Sequence, residues 1–476
     1  MQKLLDDLIL YSADNKILEI AAAVTAQSDT KNAAAVTASG DAEDSRRLQR
    51  KLTKSLLEFA ALHGLAGNLW HDYIAYYIAT DLNPFSLEEE RRAAAERETK
   101  TAPEAADTTL AKLGAMDCSV LRKIFNWDWQ NHAEGQSLWS KAITACRRAG
   151  DAAEAESMTD AGRLICQFVQ SLEAADSDEE FFQAVVSFYR QNGAGELGLS
   201  KAFTLRTGSG ATAAEAAGNA ACPDAAEAAA SSGKIRLSAV RKTEDIRLSD
   251  LIGYEEQKRK LVQNTEAFLA GKPANNVLLY GDGGTGKSTS IRAICSQYSG
   301  EGLRIIQIYR HQMQHLSSII DIIKNRNYKF IIYMDDLSFE DFETEYKYLK
   351  AVIEGGLEPR PKNVLIYATS NRRHLIKETW KDRSDMDNDG EIHRGDSMEE
   401  KLSLAERFGV QIYYGKPGRD QFHEIVEALA LRENVNIDLQ KLHQEATRWE
   451  IRRGGVSGRS ARQFIDYMKG LEENTK

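Results

Sequence analysis

The octapeptide GDGGTGKS, Gly281 to Ser288, sets a lysine and a hydroxyl behind four glycines. It lies between an apolar run, NVLLY (276–280), and a helical stretch at 287–298. That is the G-x-x-x-x-G-K-[ST] pattern in the strand-to-helix setting its chemistry needs. Gly281, Gly283, Gly284 and Gly286 permit backbone angles closed to other residues and let amides approach phosphate oxygens. The helix N-terminus adds its partial positive charge. Lys287 has the reach for β- and γ-phosphates, and the Ser288 hydroxyl suits a Mg²⁺ ion. The expected phosphate cradle is Gly281, Asp282, Gly283, Gly284, Thr285, Gly286, Lys287, Ser288 and Thr289.

Two further polar sets follow apolar runs. In YMDDLSFED, Asp335 and Asp336 end the run FIIYM. Adjacent carboxylates at a strand end call for a cation, and Asp335 fits Mg²⁺ held through water. Asp336 reads either as the carboxylate that polarises an attacking water or as an N-cap for FEDFETEYKYL. Glu340 is a further acid nearby. Asn371, in ATSNRRHL, suits contact with a γ-phosphate or with that water, although asparagine is also a common turn residue. ATP and Mg²⁺ are therefore the expected cofactors.

These groups need a parallel sheet to hold them. The runs at 276–280, 304–309, 329–334, 363–368 and 410–414 are near-continuously apolar, and most alternate with helical stretches at 287–298, 314–325 and 343–354. Such strands belong to a sheet covered on both faces, an α/β architecture. After Pro417 the pattern is helical over 419–432, 438–449 and 459–472. Upstream, residues 1 to about 200 carry helical periodicity with few strand-like runs. Between the halves, alanine fills 12 of the 20 positions from 211 to 230, and large apolar side chains are missing. Such a segment buries too little surface to offset its ordering entropy, so it reads as a linker. The predicted organisation is a helical N-terminal domain at 1–205, a flexible linker at 206–235, a P-loop core at 236–417 and a helical lid at 418–476.

Composition narrows the classes. The 476 residues carry a net charge of −10, which argues against general polyanion binding. Five scattered cysteines without a C-x-x-C pair read as reduced thiols rather than as a disulfide or zinc framework. The amino-terminal MQKLLDDLILYSADNK has acids within its apolar part and reads as an amphipathic helix, not a signal peptide. No apolar run approaches the roughly 20 residues that span a bilayer. A soluble, cytoplasmic protein is expected.

With the P-loop, IIYMDD and ATSN in this order, the chain resembles the AAA+ ATPases across roughly 248–476. LSDLIGYEEQKRKLVQNTEAFLAGKPANNVLLYGDGGTGKS and EEKLSLAERFG are similar to one bacterial branch of unknown function. The resemblance implies a five-stranded core in the order 5-1-4-3-2 with a helical lid, and ATP hydrolysis by an oligomer acting on a protein partner. It implies that DLIGY meets the adenine through Ile252 and Gly253, and that Asn371 is sensor 1. It makes Arg407 the arginine finger toward a neighbouring subunit, with Arg372 and Arg373 as rivals. In GGVSGRSARQFI, Arg459 or Arg462 is sensor 2; one helical turn apart, they share a face. Asp336 stands where many relatives carry glutamate, which predicts slow turnover. The segment YRHQMQHLSSII lacks the glycine of an unfoldase pore loop. An ATP-dependent switch or loader, or a DNA-associated initiator, is the alternative.

Two features compete with this assignment. DMDNDGEIHRGD, Asp385 to Asp396, approaches a calcium loop, but its last position is Asp396 rather than a bidentate glutamate. The basic set Arg448, Arg452, Arg453, Arg459 and Arg462 could touch DNA. Its continuity with the lid and the acidic balance of the chain do not favour nucleic acid.

Overall fold

The computed structural model describes residues 1–12, 15–33, 39–65, 67–99, 108–128, 158–207, 235–240, 242–338, 345–354, 361–371, 404–435, 437–453 and 455–473. They form two compact units: Met1–Lys201 with Arg206–Thr243, and Ala202–Leu205 with Glu244–Lys476.

The first unit is helical: α1 (Gln2–Asp6), α2 (Lys16–Ala33), α3 (Ser39–His63), α4 (Leu69–Thr80), α5 (Pro84–Thr99), α6 (Thr108–Phe125), α7 (Asp160–Glu173), α8 (Asp178–Asn192) and α9 (Glu196–Leu199). α4, with the sequence LWHDYIAYYIAT, is buried nearly all round, as a helix apolar on every face must be. Asn68 caps it, its side chain accepting the Trp70 N–H at 3.2 Å. Trp70, Tyr73, Phe125, Phe181 and Tyr189 fill the core around it. The Trp70 indole N–H donates to the Ile124 carbonyl at 2.8 Å, so burial leaves that donor satisfied.

The strands are β1 (Ala202–Thr207), β2 (Ile235–Ala239), β3 (Val277–Gly281), β4 (Leu303–Ile308), β5 (Lys329–Met334), β6 (Val364–Ser370) and β7 (Val410–Tyr414). The sheet order is β2-β1-β4-β5-β6-β3-β7. Read from the strand that carries the P-loop, β7-β3-β6-β5-β4 is the 5-1-4-3-2 order of the AAA+ class, and these pairs are all parallel. One detail is corrected. The sheet has seven strands rather than five, because β1 pairs in parallel with β4, with Phe203 opposite Ile306, and β2 adds a further strand beside β1. AFTLRT sits at the end of a long helical stretch and is too short for its alternation to stand out, so sequence periodicity missed it.

The helices of the second unit are α10 (Glu255–Leu269), α11 (Lys287–Tyr298), α12 (Leu316–Ile323), α13 (Tyr346–Glu354), α14 (Arg419–Arg432), α15 (Leu439–Arg453) and α16 (Gly458–Glu473). Leu261, Phe268, Ile291, Ile294, Ile331 and Tyr367 form a core in which α10 and α11 meet the sheet. The last three helices make a lid with its own core, centred on Phe422, Val426, Leu442, Phe464 and Ile465. Among the described residues no helix is long and apolar enough to cross a membrane, and no group of three or more His, Cys, Asp or Glu is arranged to hold a metal. The acidic loop 385–396, Glu340, Arg372, Arg373, Cys146 and Cys222 lie outside the described residues, as does 208–234, most of the expected linker.

Candidate functional site

The P-loop leaves β3 with Gly281 at φ +133°, and a Cβ there would fall 2.1 Å from the Tyr414 carbonyl oxygen. Gly286, at φ +95°, starts α11, and a Cβ there would meet Leu251 at 2.4 Å. Only glycine fits either turn. A Cβ on Gly283 would meet nothing within 4 Å, so the front of the loop is open. Thr285 pins the loop internally, its hydroxyl donating to the Asp282 carbonyl at 2.8 Å.

Lys287 is 6% exposed. Its ammonium donates to the carbonyls of Gly281 (3.0 Å) and Asp282 (2.7 Å) and to Asn371 Oδ1 (3.0 Å). Burial pulls its pKa down, with Arg459 adding to the effect, and the negative charges of Asp282, Asp336 and Asp335 oppose this. At the next residue of the helix, the Ser288 hydroxyl donates to Asp335 Oδ1 at 2.7 Å. Thr369, on β6, donates to the same oxygen at 2.6 Å. Burial opposes ionisation of Asp335, but hydrogen bonds from Thr369 and Ser288 outweigh it and hold its carboxyl below the usual range.

Asp336 has a left-handed backbone, φ +51°. Its N–H donates to the Thr369 hydroxyl at 2.9 Å, and its Oδ1 accepts the Asn371 Nδ2 at 2.8 Å. The next described helix, α13, begins only at Tyr346, so the Asp336 carboxylate serves Asn371 and caps no described helix. Lys287, Ser288, Asp335, Asp336 and Asn371, joined through Thr369, thus form one hydrogen-bonded set on the tips of two adjacent strands and the start of α11. Ser288 and Asp335 offer all-oxygen donors, the kind Mg²⁺ takes. A cavity of about 410 Å³ adjoins the set, lined by Tyr280, Gly281, Asp282, Asn371 and Tyr413.

The lid meets the loop at the start of α16. Ser457 caps that helix, its Oγ accepting the Ser460 N–H at 3.0 Å. The Arg459 N–H reaches the Gly284 carbonyl at 3.3 Å, and a Cβ on Gly284 would meet the Arg459 Cβ at 3.1 Å. Arg462 instead pairs with Glu433 (3.0 Å) and Asp466 (3.4 Å) within the lid. Of the two sensor-2 candidates, Arg459 is therefore the one at the P-loop. Arg459 lies in the first turn of α16, at the loop, and Arg462 lies one turn further along, so a shared helix face does not give a shared neighbour.

DLIGY is held between sheet and lid. Ile252 packs on the lid core, and a Cβ on Gly253, at φ +74°, would strike Gln421 at 2.1 Å. Tyr254 stacks on Tyr414 with centroids 5.1 Å apart and donates to the Gly415 carbonyl at 2.9 Å. Thr289 is half-buried in the first turn of α11. Arg407 is ion-paired with Glu354 at the end of α13, and its buried Nε has no hydrogen-bond partner among the described residues.

Residues 224–472 match a family described as "Protein of unknown function (DUF815)". The chain belongs to that family. No protein of curated function matches the sequence. Among solved structures, the chain is similar to the Thermotoga maritima RuvB Holliday junction branch migration motor, at 17% identity and a TM-score of 0.33, over 46% of this chain and 63% of that one. A point mutant of the same protein gives 18% identity and 0.34, over 46% and 64%. The FIGL-1 AAA domain in complex with ADP gives 18% and 0.31, over 47% and 72%. The RuvB matches thus leave more than a third of those chains uncovered. This member of the DUF815 family has, by its own topology, the P-loop fold with the 5-1-4-3-2 strand order and helical lid that its resemblance to the AAA+ ATPases implied.

Motif reading missed two residues at the site. Thr369 touches both acids of IIYMDD. Tyr333, two residues before Asp335, is 2% exposed, and its hydroxyl lies beside Ser288 and Asp335 without a well-formed hydrogen bond in the described structure. Burial pushes that phenol well up. The spacing of Thr369 before Asn371 was visible in ATSN, but its partners were not.

Proposed function

We propose that the second unit binds Mg-ATP and hydrolyses it to ADP and phosphate. The observation that carries this reading is the single hydrogen-bonded set of Lys287, Ser288, Asp335, Asp336 and Asn371, joined through Thr369. Lys287 and the open loop amides would hold the phosphates, and Ile252 and Gly253 would border the adenine. Ser288 and Asp335 would hold Mg²⁺, which when bound supplies charge neutralisation at the transferring phosphoryl group. Asp336, steered by Asn371, would orient the attacking water and take up its proton. Its short side chain makes turnover slow. Arg459 would meet the phosphates in cis. Arg407 would leave Glu354 and reach the γ-phosphate of a neighbouring subunit, within an oligomer that remodels a protein partner.

A switch reading, in which binding rather than turnover matters, draws on a different observation: the Asp336 carboxylate is already engaged by Asn371. The test is steady-state ATPase activity across protein concentrations, for wild type beside Asp336→Asn and Arg407→Ala. Hydrolysis by an assembly predicts a rate per subunit that rises with concentration and is lost in both variants while ATP still binds. Tight binding with negligible turnover in all three proteins favours the switch.

A further inference from the structure

Thr369 sits on β6 beside the β5 tip and is 2% exposed. Its hydroxyl donates to Asp335 Oδ1 at 2.6 Å and accepts the Asp336 N–H at 2.9 Å. A hydroxyl has one proton and two lone pairs, so it can do both at once. The Thr369 carbonyl also accepts the Leu337 N–H, at 2.7 Å. Three successive residues therefore hang on one side chain and its peptide.

The hold has a purpose in the backbone. Asp336 is at φ +51°, a conformation that strains an L-residue and persists only where its surroundings enforce it. In that conformation its carboxylate reaches Asn371 Nδ2 at 2.8 Å, and Asn371 Oδ1 in turn accepts from Lys287 at 3.0 Å. Relaxation of Asp336 to an ordinary φ would swing a short carboxylate away from Asn371. The β-branch of threonine restricts χ1, so the hydroxyl is pre-aimed.

We propose that Thr369 is a positioning residue: its hydroxyl holds Asp336 in the left-handed backbone and ties it to the cation-holding Asp335. The role rests on the hydrolytic reading above. It explains how an aspartate can serve where a longer acid is usual, since the backbone turn brings the short side chain to its partner.

The test compares Thr369→Val, which keeps the shape without the hydroxyl, with Thr369→Ser, which keeps the hydroxyl, both in the full chain. Four quantities are read: affinity for a fluorescent ATP analogue in EDTA, the Mg²⁺ concentration giving half-maximal tightening, kcat and KM for ATP, and thermal unfolding. In Thr369→Val, kcat should fall roughly tenfold, as loss of one oriented hydrogen bond does, with KM within about twofold and the Mg²⁺ midpoint raised several-fold. Thr369→Ser should recover most of both. Wild-type turnover in Thr369→Val, or equal impairment in Thr369→Ser, overturns the role. If Val does not fold, Thr369→Ala carries the same comparison. If the wild type binds the analogue but turns over too slowly to measure, the Mg²⁺ midpoint decides by the same two outcomes. A wild type that binds no nucleotide at any Mg²⁺ concentration defeats the hydrolytic reading and this inference together.

Discussion

Each unit holds a hydrogen-bonded aspartate, and the two are treated in opposite ways. In the helical unit, Asp117 is fully buried and accepts backbone N–H groups from Ile9 (3.0 Å), Leu10 (2.7 Å) and Tyr11 (3.2 Å). Its carboxylate is consumed by fixed peptide groups and ties the amino-terminal segment to α6. In the P-loop unit, Asp335 is exposed, and the hydroxyls of Ser288 and Thr369 converge on its Oδ1. A buried carboxylate that satisfies peptide groups stabilises a fold. One that is held by side-chain hydroxyls is oriented without being tied to the backbone, which suits a binding site.

The largest expected effect is on the functional side of this contrast. Lys287→Ala should weaken ATP binding or turnover by at least about 100-fold, because the cation at the phosphates is lost. Its unfolding free energy should stay within about 1 kcal/mol of wild type, since a buried ammonium with its desolvation cost is also removed. Nucleotide titration and denaturant unfolding read the two. If Lys287→Ala instead unfolds the unit, the division between site and scaffold fails.

On the scaffold side, Asp117→Ala strands three backbone donors and should cost roughly 3–5 kcal/mol. The loss should appear in the unfolding of the helical unit, with nucleotide binding unchanged.

Asp72 sharpens the same side through pH. Burial first, and then the charge of Glu173, push its carboxyl from 3.8 up to about 7. One of its oxygens has no hydrogen-bond partner in the described structure. The folded pKa lies above the unfolded one, so this stabilisation is complete below about pH 3.8 and is lost as pH rises through about 7. The helical unit should be less stable at pH 8 than at pH 5, by on the order of 3 kcal/mol from this group. Asp72→Asn should flatten that dependence; an unchanged slope would assign it to other groups.

The smallest effect separates the two lid arginines. Arg459→Ala should weaken nucleotide binding about tenfold, the usual worth of one charged contact. Arg462→Ala, which removes surface ion pairs, should change it by less than about twofold. Reversed magnitudes would mean that α16 turns when nucleotide binds.

Much of the second unit was legible in the chain. KFIIYM and VQIYY are β5 and β7 to the residue, and 287–298 and 419–432 are α11 and α14. Long apolar runs and strong helical periods report burial directly, so local composition suffices there. β1 was not legible, because AFTLRT is short, mixes polar with apolar residues and directly follows a long helical stretch, so it shows no distinct local period. Asp336 could be read as a cap or as a catalytic acid, and neither its left-handed backbone nor its bond to Asn371 could be read from the sequence.

The sequence by itself determined the chemistry on offer: a glycine loop with lysine and serine, paired acids and an asparagine, each placed at the end of an apolar run. Spacing dictates this, since a strand followed by a loop and a helix allows few arrangements. Tertiary structure decided which of those groups meet. Thr369 joins Asp335 to Asp336, Arg459 rather than Arg462 reaches the loop, and Arg407 is paired with Glu354. Such contacts depend on strand order and helix docking, which no local stretch of sequence encodes.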